Sequence, residues 1–124
     1  MEIIKSHREL RVYIKSFEKA MEIFAFSKTF PREELYSLTD QIRRSSRSVS
    51  SNIAEAFRRR KYPKSFASKL NESEAEAAET QNWLDFALSC EYVQPEIHKE
   101  LDTAYDEIIG MLVMMQKHPE KWSI

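Results

Sequence analysis

Only one glycine, Gly110, and one cysteine, Cys90, occur in this chain of 124 residues. β-Hairpins, phosphate-cradling loops and dinucleotide-binding turns all use residues that tolerate positive φ, so the near absence of glycine argues against each of them. A lone cysteine cannot close an intrachain disulfide, and nothing points to an oxidising compartment, so the expected location is the cytoplasm. No apolar run approaches the ~18 residues of a membrane helix, and the opening MEIIKSHREL lacks the apolar region of a secretory signal. Membrane spanning and secretion are therefore not expected.

Signs of chemistry are equally sparse. The three histidines, His7, His98 and His118, fall near predicted helix ends, and no Glu-x-x-His pair of the kind that builds a di-iron bundle is present. Cys90 has no neighbouring histidine and no second cysteine, which suits a structural or interface thiol better than a nucleophile. These gaps predict a protein without enzymatic activity, cofactor, metal or small-molecule substrate.

What the chain does have is helical periodicity. Pro31, Pro63 and Pro95 stand at equal intervals, with Pro119 near the end, and each reads as punctuation between helices. Helix 1 is expected to start at the capping-box spacing Ser6-His7-Arg8-Glu9 and to bury Leu10, Tyr13, Phe17, Ala20/Met21 and Phe24. Helix 2 carries Leu35, Leu38, Ile42, Ser45/Ser46, Val49, Ile53 and Phe57 and should end near Arg60, with a second capping-box spacing at Ser37 to Asp40. Helix 3 follows Pro63 with Phe66, Leu70, Ser73, Ala77, Gln81, Leu84 and Leu88. Helix 4 follows Pro95 with Ile97, Leu101, Ala104, Ile108, Met111/Leu112 and Met115, and His118 to Ile124 reads as a frayed tail on which Trp122 folds back. Short connections make successive helices antiparallel, so residues 1–124 are predicted to form one all-α domain, an up-and-down four-helix bundle.

Charge is segregated along the chain although the net charge is only −1. From Arg43 to Lys64 eight basic residues face one acidic residue, a local charge of +7, whereas Ser65 to Glu107 holds two basic residues against eleven acidic ones, or −9. At about 100° per residue Arg43, Arg47, Arg58 and Lys61 share a flank of helix 2, with Arg44 beside them. Such a stripe fits phosphate groups of RNA or DNA, because Arg and Lys contacts to phosphate supply most nonspecific affinity. It equally fits a solvated face, or a partner for the acidic helices in the same or a neighbouring chain.

Two more patterns carry weight. Ser45, Ser46, Ser48, Ser50 and Ser51 crowd helix 2; without an adjacent base or oxyanion loop they indicate close helix packing and not a nucleophile. On helix 3, Trp83, Phe86 and Cys90 fall opposite the Leu70 seam with Glu72, Glu76 and Glu79, and outward aromatics predict a self-association surface.

The stretch FPREELYSLTDQIRRSSRSVSSNIAEAFRRR, Phe30 to Arg60, with its Phe-Pro turn, Gln-Ile-Arg-Arg and Ser-Asn-Ile-Ala-Glu, resembles the signature of the bacterial four-helix bundle family named after 23S rRNA intervening sequences. EAEAAETQNWLDFAL, Glu74 to Leu88, is similar to that family's third helix, and the likeness extends from about Ser6 to Trp122. Ala56 departs from the pattern, where many members have glycine. The resemblance implies an antiparallel bundle, assembly into homopentamers, no known enzymatic activity and a link to ribosomal RNA. Among site residues it extends only to the matching arginines Arg43, Arg44 and Arg47.

Overall fold

A computed structural model describes residues 4–122. Four α-helices carry the fold: α1 (Arg11–Ser27), α2 (Leu38–Phe57), α3 (Pro63–Ser89) and α4 (Pro95–Lys117). Among the described residues there is no strand, and three short 3-10 turns precede α1, join α1 to α2 and follow α4. Each helix packs on its neighbour in sequence and α1 closes on α4. That is the predicted antiparallel four-helix bundle.

The prolines punctuate as expected. Pro63 and Pro95 occupy the first helical turns of α3 and α4, Pro31 caps the 3-10 turn before α2, and Pro119 opens the final one. Proline suits a first turn because its missing N–H has no intrahelical partner there. Gly110, in contrast, serves no turn; it lies exposed within α4.

Both capping predictions need correction. The Ser6–Glu9 box forms, but it caps the turn His7–Glu9, and α1 starts only after Leu10. The Ser37–Asp40 box does not form: the Ser37 hydroxyl donates instead to Glu34 Oε1 at 2.7 Å, and the Leu38 amide reaches the same oxygen at 3.4 Å. Tyr92 Oη donates to Glu34 Oε2 at 2.9 Å, so one carboxylate ties the start of α2 to the α3–α4 turn. These donors hold the Glu34 carboxyl below the usual range, and the same bond pushes the Tyr92 phenol up to about 12.

The core follows most of the predicted seams of α2, α3 and α4, with Ile42, Val49, Ile53, Leu70, Leu84, Ile108 and Leu112 fully buried; the exceptions are Leu35, which precedes α2, and Ile97, in the first turn of α4, both exposed. Small hydroxyl residues let α2 and α3 approach closely. Ser73 Oγ donates to the Val49 carbonyl at 2.7 Å and Thr80 Oγ1 to Ser45 Oγ at 2.9 Å, which satisfies these buried groups. Ser45, Ser46 and Ser50 are buried, as close packing requires, while Ser51 is exposed.

Of the stripe predicted for helix 1 only Leu10 and Ala20 are buried; α1 itself turns Val12, Ser16, Ala20, Ile23 and Ser27 to the core. Phe17 and Met21 stand 49% and 51% exposed, with Tyr13 and Phe24 half-buried. Ser16 and Ser27 enter the core at little cost because their hydroxyls donate to the carbonyls of Tyr13 and Phe24, one turn back. At the chain's end, Trp122 does fold back against the core, and 123 and 124 lie outside the described residues.

Candidate nucleic-acid interface

The aromatics that α1 leaves outside meet the basic flank of α2. Because the two helices are antiparallel, the end of α1 lies beside the start of α2. There the Phe24 ring has Lys28 Nζ at 4.7 Å and the guanidinium carbons of Arg43 and Arg47 at 4.9 and 5.3 Å. Arg43 Nε also donates to Ser27 Oγ at 2.8 Å, which fixes the side chain across the helix pair. A small cavity of about 110 Å³ continues from here, with Lys28, Arg32, Thr39 and Arg43 in its wall.

Further along, a groove of about 350 Å³ runs between the helices, with Tyr13, Phe17 and Met21 on one side and Arg47, Ser51 and Ala54 on the other. Its rings form a ladder: His7 meets Tyr13 edge-on at 4.7 Å, and Tyr13 lies 6.0 Å from Phe17. Beyond the groove, Arg58 follows the end of α2 and its charge acts on His7. Burial, then the positive fields of Arg8 and Arg58, hold the His7 imidazole below its usual pKa.

The cations of this strip pair with rings and not with carboxylates. No ion pair among the described residues involves Lys28, Arg43, Arg47, Arg58 or Lys61, whereas Lys15 pairs with Glu107, Lys19 with Glu22 and Lys69 with Glu55 and Glu72.

The predicted stripe needs two corrections. Because α2 stops at Phe57, Arg58 and Lys61 sit in the following turn, Arg58 over the Phe57 ring at 5.6 Å and Lys61 near Tyr62 at 5.5 Å. Arg44 leaves the strip altogether: it lies 4.0 Å from Asp40, and its field acts on Glu76 of α3. Burial, followed by the neighbouring Glu79, raises the Glu76 carboxyl above its usual range. Acidic α3 thus has a basic neighbour from α2 in Arg44, while Lys69, of α3 itself, pairs with Glu55 of α2 and with Glu72.

The predicted self-association surface on α3 is divided. Phe86 is 52% exposed and Cys90 is exposed, but Trp83 is partly buried against the core, its ring 5.8 Å from Phe86. The aromatic face of α1 and Lys28 were missed by sequence reasoning. The 4-4-3-4 spacing of Val12, Ser16, Ala20, Ile23 and Ser27 was the available signal, hidden because two of its members are serines.

The family model of the 23S rRNA-intervening sequence protein matches residues 8–114. The chain belongs to this family. It is also similar to a crystal structure from Bacteroides thetaiotaomicron, described as a protein of unknown function from the S23 ribosomal protein family. Identity is 32%, the match covers 86% of this chain and 95% of that one, and the TM-score is 0.77. No curated protein matches the chain. On the fold, the intervening-sequence motif Phe30 to Arg60 comprises the turn before α2, the whole of α2 and the basic turn after it. That stretch, inside the matched residues, holds Arg43, Arg47 and Arg58 of the basic strip. No helix of the described residues is long and apolar enough to cross a membrane.

Proposed function

We propose that this intervening-sequence family member is a non-enzymatic, self-associating protein of the cytoplasm that binds RNA along the α1–α2 face. The observation that carries this reading is the row of basic side chains, Lys28, Arg43, Arg47, Arg58 and Lys61, without carboxylate partners among the described residues. Arg and Lys bind phosphate, and exposed rings between them stack on unpaired bases, so the combination favours single-stranded RNA over a closed duplex. Arg43, Arg47, Arg58 and Lys61 are the phosphate contacts; Arg44, turned toward α3, is a weaker candidate.

A second reading keeps the bundle as a protein scaffold in which basic α2 pairs with acidic helices of neighbouring subunits. It draws on the exposed apolar side chains Phe17, Met21 and Phe86, which suit assembly into the homopentamer implied by the family resemblance. One set of variants separates the two. Arg43→Ala, Arg47→Ala and Arg58→Ala each weaken RNA binding about equally across sequences and leave the oligomer's mass unchanged under the first reading. Unchanged affinity with a smaller mass is the outcome of the second. In either case Trp83→Glu with Phe86→Glu tests the α3 surface: light scattering should show smaller species while the helicity is kept, and an unchanged mass removes that surface from the interface.

A further inference from the structure

On the opposite side of the molecule, α3 and α4 bring three metal-ligating side chains together. His98 and Asp102 stand one turn apart on α4 and so share a face, and Asp85 comes from the last turns of α3. One ligand atom from each lies within 4.8 Å of the others, and His98 Nε2 is 2.8 Å from Asp85 Oδ1.

We propose that Asp85, His98 and Asp102 form a binding site for a divalent transition-metal ion, with Zn²⁺ the ion of best fit. An imidazole nitrogen with two carboxylates matches the N/O ligand sets of Zn²⁺ and its neighbours, whereas Ca²⁺ needs six to eight oxygens and Mg²⁺ rarely takes nitrogen. The position is also prepared for a ligand. The His98 side chain is only 16% exposed, so the surrounding helices restrict the ring, while Asp85 is 68% exposed and leaves a path for the ion and its remaining waters.

The supporting contacts come from the same two helices. Gln81 Nε2, one turn before Asp85 on α3, donates to the Asp102 carbonyl at 3.2 Å and to Asp106 Oδ1 at 2.8 Å. This amide fixes the α4 backbone at the level of the site and keeps a third carboxylate nearby. A metal there would take over the place of the proton between His98 and Asp85 and link α3 to α4 near their shared turn. The absence of Glu-x-x-His argues against a di-iron site, but not against a His-x-x-x-Asp pair completed from another helix.

The test is calorimetric titration of the full chain with ZnCl₂, alongside thermal melts with and without excess Zn²⁺. The expected result is one ion per chain and a raised melting temperature. His98→Ala and Asp85→Asn should each weaken affinity at least tenfold; Asp85 is exposed, so its variant keeps the fold even if that of His98 does not. Cys90→Ser and His118→Ala should leave affinity unchanged. No saturable binding, undiminished binding in Asp85→Asn, or binding lost in Cys90→Ser would each overturn the assignment.

Discussion

Phe24 sits between Lys28, Arg43 and Arg47, and these contacts position cations without neutralising them. A cation over an exposed ring is worth about 0.5–1 kcal/mol, enough to bias a rotamer and too little to remove the charge from use. Glu34 shows the opposite case, a charge fully engaged by its own chain. Its carboxyl is held below the usual range by bonds that form only in the folded state, so its stabilisation is complete above the unfolded glutamate pKa and is lost as pH falls through the folded value. Glu34→Gln should therefore lower the melting temperature at pH 7, and the gap from the parent should close below about pH 4. Melts across that range check it, and a gap independent of pH would contradict it. Gly110 has open space where a Cβ would stand and sits within α4, so Gly110→Ala should stabilise the protein by about 0.5–1 kcal/mol in denaturant unfolding.

Among the elements, α2, α3 and α4 were legible because their large apolar residues and their buried stripes coincide. Ile42, Val49 and Ile53 recur at helical spacing and nothing competes with them. Helix α1 was harder to read because its buried stripe is made largely of small residues, Ser16, Ala20 and Ser27, while the larger Phe17 and Met21 stay exposed. The basic flank of α2 could be read from spacing, but not the aromatic half of the site, which depends on which way α1 rotates. Nor could the wheel show that α2 ends at Phe57 and passes Arg58 to a turn. The end of α3 holds a related surprise. Scarce glycine argued against positive φ, yet Glu91 adopts φ 64, with the Tyr92 amide bonded to the Ala87 carbonyl and the Glu91 amide to that of Leu88. This is the Schellman ending, in which glycine is the usual residue. Glu91→Gly should relieve the left-handed strain and stabilise the bundle by up to about 1 kcal/mol; a loss of stability in chemical denaturation would show that the Glu91 side chain has a role of its own.

At the scale of the whole molecule, a net charge of −1 hides a division between a basic α1–α2 face and acidic α3 and α4. Internal pairing through Lys69, Arg44 and Lys15 engages part of the charge, while Lys28, Arg43 and Arg47 gather at the Phe24 ring on the α1–α2 side without carboxylate partners among the described residues. A polyanion would meet that side first, and at low ionic strength the acidic faces would be directed away from it. The most direct test of this account is the affinity of the purified protein for a single-stranded RNA over a range of salt concentrations, for the parent and for Arg43→Ala with Arg47→Ala. The account predicts a linear fall of log affinity with log salt, shallower in the double variant by about 0.7 for each phosphate contact removed. No detectable binding at low salt, or an identical slope in parent and variant, would contradict it.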